Sequence, residues 1–271
     1  MIYSGRFAPS PSGPLHFGSL VTALASFLDC KSKNGRWWLR IEDIDKLRVK
    51  TDSSEIIKKQ LRDHGLVWDY WPDTQGGIDG VLYQHPRHHY YLENLYKLIN
   101  LNKVFGCSCS RKYLKLTARK LEYSNLHYPG FCRDLNLSAL DQYISWRFKS
   151  VLNNDFVLRR ADGTWNYLFV VVLDDHFQNI TSVVRGSDLC TTIRQNRELQ
   201  TALGLSFPTI LHVPIVKSTN GRKLSKRDEN ANLRGGIYIR KQIVSAWQYL
   251  QKNMPHTWLA GVEGIFRKNF Y

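Results

Sequence analysis

The 271-residue chain has no run approaching the roughly 20 consecutive apolar residues of a membrane helix. Its first residues, Met1 to Gly13, show neither a basic segment followed by an apolar one nor an amphipathic transit pattern. A cytoplasmic protein without a membrane partner is expected. Cysteine is sparse: five residues, an odd number in a chain with no export signal, argue against a disulfide framework and leave metal binding or free thiols. No GxGxxG follows a predicted strand, so a dinucleotide oxidoreductase has no support. Gly13 to Gly18 has the GxxxxG spacing of a phosphate-binding P-loop, yet Ser19 stands where that loop needs Lys, and the P-loop reading fails. Acidic residues are short: 23 Asp and Glu against 38 Lys and Arg leave a net charge of +15. Such an excess is attracted to polyanions, and 8 Trp, 14 Tyr and 12 Phe supply rings that stack on bases. The plainer reading is solubility, since the cations are scattered along the chain. Hydrophobic residues at 43% and charged residues at 23% are ordinary globular values, which excludes a disordered tail or a collagen-like rod.

Met1 to Phe7 predicts a short strand running into a loop, Ala8 to Gly13, that Pro9, Pro11 and Pro14 keep from being helical. Leu20, Ala23, Leu24, Phe27 and Leu28 recur at helical spacing, so a helix is expected from near Ser19 to before Asn34-Gly35. Trp37, Leu39 and Ile41 alternate as a strand ending at Glu42-Asp43. This βαβ opening of an α/β fold puts its functional groups at strand ends and a helix N-terminus, where such sheets bind nucleotides. Helices are expected at Thr51 to Gly65 and Tyr90 to Asn100, and a strand at Leu168 to Leu173. Pro208 to Val216 predicts a strand entering the basic loop Lys217 to Asn230. Ile243, Trp247 and Leu250 predict a helix, followed by a weakly patterned tail. The division expected is a first half of the core at 1–102, an inserted subdomain at 103–185, a second half with the basic loop at 186–235 and a short C-terminal helical tail at 236–271.

Three thiols gather in the insertion, Cys107-x-Cys109 and Cys132, where zinc needs four tetrahedral ligands. The fourth is left open between Tyr128, His127 and water. Cys30 and Cys190 lie outside this group and are read as core. His85, His88 and His89 precede a predicted helix without thiolate partners and are read as structural.

Two elements carry the chemistry. His16 opens a helix, where backbone N–H groups and the helix dipole favour a phosphate. Gly221-Arg-Lys-Leu-Ser-Lys-Arg227 is a second basic element far downstream. Each alone reads as structure: a lone His is more often structural, and a charge run is usually a solvated face. Together, Pro-Leu-His16-Phe-Gly-Ser19 and Lys223-Leu-Ser-Lys-Arg227 resemble the HIGH and KMSKS signatures of class I aminoacyl-tRNA synthetases. Arg6-Phe-Ala-Pro-Ser-Pro-Ser-Gly13 is similar to the glutamyl branch, as are Arg40-Ile-Glu-Asp43, Tyr167 through Asp174-Asp175, and Val183-Val-Arg-Gly-Ser-Asp188.

The resemblance implies a Rossmann-like catalytic core with a parallel sheet and an inserted zinc-bearing subdomain. It implies His16 and Lys226 as catalytic donors, and ATP contacts from His16, Gly18, Ser19, Lys223, Ser225 and Lys226, with Mg2+. For L-glutamate it implies Arg6 and Arg185 facing carboxylates, Glu42 facing the ammonium, Tyr167 giving a hydrogen bond and Ser10 at the pocket edge. Phe17, Ser19, Leu224 and Arg227 depart from the signatures; Phe17 and Leu224 keep apolar positions, and Arg227 makes the loop more cationic.

About 44 residues follow Arg227, where a helical anticodon-binding region needs on the order of a hundred. The chain therefore resembles the glutamyl-queuosine tRNA(Asp) synthetases, whose C-x-C…Y-x3-C zinc pattern is matched by Cys107, Cys109, Tyr128 and Cys132. That resemblance implies an enzyme that activates glutamate without tRNA and attaches it to queuosine in tRNA(Asp); a monomer is expected. A truncated glutamyl-tRNA synthetase charging tRNA(Glu), or a synthetase-derived RNA-binding module without catalysis, are the alternatives.

Overall fold

The computed structural model describes residues 2–120, 128–135, 137, 144–152, 154–217, 221, 224 and 232–271. The chain begins with strand β1 (Ser4–Phe7), helix α1 (Phe17–Lys31), strand β2 (Arg36–Ile41), helix α2 (Ser53–Asp63) and strands β3 (Gly77–Ile78) and β4 (Val81–Tyr83). It continues through α3 (His88–Asn100), β5 (Val104–Cys107), α4 (Arg111–Lys120), β6 (Ser145–Phe148), β7 (Phe156–Arg159) and α5 (Tyr167–Phe177). Then follow β8 (Ser182–Gly186), α6 (Ile193–Leu203), β9 (Thr209–Val213), α7 (Tyr238–Asn253) and α8 (His256–Phe270).

The chain forms two compact units, one of residues 1–86, 178–191 and 208–271, the other of 87–177 and 192–207. The sequence divisions at 102/103 and 185/186 fall inside these units rather than between them.

In the first unit, β1 and β2 pair in parallel, β2 pairs in parallel with β4, and β3 closes the edge antiparallel to β4. β8 and β9 form a second parallel pair, tied to β1 where Ser4 N–H donates to Thr181 Oγ1 and Thr181 N–H donates to Ser4 C=O, both at 2.9 Å. Alternation foresaw Trp37, Leu39 and Ile41 inside β2; Trp38 and Arg40 are buried as well, as befits a parallel strand covered on both faces. The core packs Leu20, Leu24 and Phe27 of α1 against Trp37 and Leu39, with α7 and α8 closing over them. α8 lies in the weakly patterned tail: Trp247 and Phe266 stack at 4.4 Å between ring centroids.

In the second unit β5, β6 and β7 form an antiparallel sheet. Leu168 to Leu173, expected as a strand, belongs to helix α5. A wholly apolar run has no period to tell helix from strand. Asn166 decides it: its Oδ1 accepts from Leu168 N–H at 2.9 Å and its C=O from Phe169 N–H at 3.1 Å, opening a helix despite three consecutive valines. Asp174 is fully buried, where Arg87 Nε donates to it at 2.8 Å and the Tyr91 hydroxyl at 2.9 Å. Among the described residues no helix is long and apolar enough to cross a membrane.

Candidate active site and metal centre

The first unit sets the expected site residues at the carboxyl ends of neighbouring parallel strands, where open α/β sheets bind ligands. Arg6 is the next-to-last residue of β1, Arg185 the next-to-last of β8, and Glu42 follows β2 directly. All three are buried. Glu42 N–H donates to Pro9 C=O and Lys50 N–H to Pro11 C=O, each at 3.0 Å, so the proline loop is stitched to the exit of β2. Fully buried Arg40 reaches Glu42 Oε1 at 3.3 Å and Gln178 Oε1 at 3.0 Å, orienting the carboxylate. Ser10 is exposed on the loop.

His16 is the N-cap of α1, extended at φ −102 and ψ 168, and its Nδ1 accepts from Ser19 N–H at 3.2 Å. In the neutral ring that bond leaves the proton on Nε2, making it the donor. The ring lies against Gly18: a Cβ there would meet His16 Cε1 and Nδ1 at 3.1 Å and Val216 at 3.6 Å, so the second glycine of the motif keeps room for the imidazole. Lys223, Ser225, Lys226 and Arg227 lie outside the described residues, as does His127. Their flanks are described. Leu224 N–H donates to Val216 C=O at 3.1 Å, and Asn232 bridges His16 in antiparallel fashion.

The second unit holds Tyr167, half-buried at the start of α5, and the thiol cluster. Cys107 ends β5, Cys109 follows, and a turn with Gly130 at φ +83 brings Cys132 back. The three sulfurs lie within 4.8 Å of one another, and the Tyr128 hydroxyl is 3.3 Å from Cys107 Sγ and 3.8 Å from Cys109 Sγ. Burial and the Cys132 contact push the Cys109 thiol up to about 12. Burial opposes ionisation of Cys132 too, but hydrogen bonds from Tyr128 and Ser108 bring it down to about 7. Three thiolates cannot share this volume uncompensated; three thiols and a phenol match a thiophilic divalent cation, so the cluster fits a metal. Cys30 is buried as expected, whereas Cys190, also read as core, is exposed on the turn after β8.

Residues 4–136 and 138–257 match the family model described as tRNA synthetases class I (E and Q), catalytic domain. The chain belongs to this family. A glutamyl-Q tRNA(Asp) synthetase of Pseudomonas fluorescens is 40% identical over 83% of this chain and 76% of its own length. One of Serratia proteamaculans is 35% identical over 94% of this chain and 85% of its own. Among solved structures, a glutamate-tRNA synthetase from Elizabethkingia anophelis superposes with a TM-score of 0.71 at 27% identity, covering 85% of this chain, which spans about half (54%) of that one.

Three features of this class I synthetase chain escaped sequence reasoning. Gln60 of α2 accepts Leu15 N–H on Oε1 at 2.8 Å and donates from Nε2 to Leu233 C=O at 3.3 Å. Asp43 Oδ1 accepts Gln84 N–H and His85 N–H at 2.9 Å, while its Oδ2 meets the His85 ring at 2.5 Å. His212 in β9 is the register partner of Arg185, and burial and that cation hold its imidazole below the usual histidine range. Only Asp43 had a signal, its place in Arg40-Ile-Glu-Asp43. The other two depend on pairings that become visible only when distant segments meet.

Proposed function

We propose that the chain activates L-glutamate with ATP in the absence of tRNA and then transfers the glutamyl group to the queuosine base of tRNA(Asp). The observation that carries this reading is the family membership, supported by two arginines and a carboxylate that are all buried at neighbouring strand ends.

An acidic amino acid presents two carboxylates and an ammonium. Arg6 and Arg185 take the carboxylates in charge-assisted hydrogen bonds, Glu42 takes the ammonium, Tyr167 adds a hydrogen bond, and Ser10 borders the pocket. A carboxylate oxygen attacks the α-phosphorus of ATP, and the bond to the departing pyrophosphate breaks. Negative charge grows on the phosphoryl oxygens, where His16 Nε2–H donates from the start of α1, beside Gly18 and Ser19. Lys226, with Lys223 and Ser225, follows the pyrophosphate as it leaves; a flexible ammonium on a loop suits that task. Mg2+ accompanies ATP. Zinc is held by Cys107, Cys109, Cys132 and Tyr128 as a structural ion that fixes the turn.

In the second step an oxygen of the queuosine base attacks the adenylate carbonyl and AMP departs. A monomer in the cytoplasm, without a membrane partner, suits this work. The likeness to a glutamate-tRNA synthetase favours one rival, the charging of tRNA(Glu). The test of activation is glutamate-dependent ATP–pyrophosphate exchange without tRNA. Label incorporation into ATP is expected with glutamate alone, and exchange that requires added tRNA would contradict the reading.

A further inference from the structure

Helix α4 reads RKYLKLTARK, five cations and no acidic residue in ten positions. Arg111 and Lys112 stand in its first turn, where the helix end already carries partial positive charge and an acid would be favoured. The helix therefore holds these two cations against its own dipole. Its start is fixed: Ser110 Oγ accepts Tyr113 N–H at 3.1 Å and Ser110 C=O accepts Leu114 N–H at 3.0 Å. Leu114 packs against the thiol cluster and orients the helix. Arg111, Lys112, Tyr113, Lys115 and Leu116 are all exposed. Arg111, Lys112, Lys115 and Leu116 line a shallow groove of about 370 Å³.

Residues 111 and 115 are one turn apart and 112 and 115 are three apart, so the three cations crowd one side of the helix. No carboxylate pairs with Lys112 or Lys115 among the described residues, although Arg111 and Arg160 act at a distance on Asp162. Cations held close together on one side of a helix, with no carboxylate partner for Lys112 or Lys115 among the described residues, form a surface suited to a polyanion.

We propose that this face of α4, Arg111, Lys112 and Lys115, contacts the phosphate backbone of the tRNA substrate. The identity of that RNA rests on the function proposed above, but the contact itself does not, because phosphates are read without regard to sequence. Neutralising each phosphate releases counterions, so each lost cation weakens the salt dependence of binding by a countable step.

The test compares the full-length protein with R111Q/K112Q/K115Q, in which glutamine keeps helix propensity, and with the charge-preserving K112R/K115R. Binding of queuosine-bearing tRNA(Asp) is followed by fluorescence anisotropy between 50 and 200 mM KCl, with ATP–pyrophosphate exchange measured in parallel. The triple variant is expected to bind at least about tenfold more weakly at the lowest salt, with the slope of log affinity against log salt reduced by roughly two to three. K112R/K115R keeps the wild-type slope, and all three proteins keep exchange within about twofold. Should the triple variant fail to fold, K112Q alone lowers the slope by about one. Wild-type affinity and slope in the glutamine variants overturn the proposal. Loss of exchange in the unsubstituted protein would instead strike at the functional reading, with the binding comparison still decisive for α4.

Discussion

His16 and Asn232 are antiparallel bridge partners, and beside them Leu233 N–H donates to Leu15 C=O at 2.9 Å. The histidine near one end of the chain is thus fastened to the segment that leaves the basic loop. At the loop's entrance Val216 stands 3.6 Å from where a side chain on Gly18 would begin. Both flanks of the loop carrying Lys226 return to the start of α1, which is the arrangement that the proposed ATP site requires.

Gln60 secures that arrangement from α2. Gln60→Met leaves the Leu15 N–H and Leu233 C=O without their side-chain partner and is expected to cost about 1–3 kcal/mol in urea unfolding. Its KM for ATP in the exchange assay is expected to rise, with KM for glutamate unchanged. Equal effects on both constants would contradict a role at the nucleotide end.

His16 caps α1, and the proposed function gives it a second, separable duty, donating from Nε2. His16→Ala removes both, and about 0.5–2 kcal/mol of stability is expected to go with the cap. His16→Asn keeps an acceptor for Ser19 N–H and is expected to retain most of that stability. Exchange is expected to fall by about two to three orders of magnitude in both variants. An active His16→Asn enzyme would show that capping alone is the histidine's contribution.

How far the sequence foretold this site depends on whether the signal was local. The strand, proline loop, helix and strand from Ser4 to Ile41 follow from proline placement and apolar spacing, and with them came Arg6, His16 and Glu42. Leu168 to Leu173 was misread because an unbroken apolar run is silent about its period, and the deciding group was the side chain of Asn166. α8 was faint because it buries chiefly Val262 and Phe266, too few to set a helical stripe. Gln60 and His212 were invisible because their partners, Leu233 and Arg185, lie 173 and 27 positions away.

The thiol cluster is expected to bind one zinc ion per chain, read by elemental analysis, and chelation is expected to lower the thermal midpoint. Tyr128→Phe is expected to weaken zinc retention against a competing chelator by about tenfold or more. Retention equal to that of the unsubstituted protein would assign the fourth position to another ligand.

His212 supplies a pH dependence. Its folded-state pKa lies below the unfolded value because burial and Arg185 oppose its charge, with Asp188 acting in the other direction. The unfolded chain therefore takes up a proton that the folded one resists, so this contribution is intact above the unfolded value of about 6.5 and is lost as pH falls through it toward the lower folded value. Urea unfolding from pH 7.5 to 5 should show His212→Asn losing less stability than the unsubstituted protein. Parallel losses would contradict this assignment.

The most direct measurement is transfer of labelled glutamate, with ATP, to purified queuosine-bearing tRNA(Asp), to tRNA(Asp) lacking queuosine, and to tRNA(Glu). Label is expected on the first alone. Label on tRNA(Glu), or equal label on both forms of tRNA(Asp), would contradict the account.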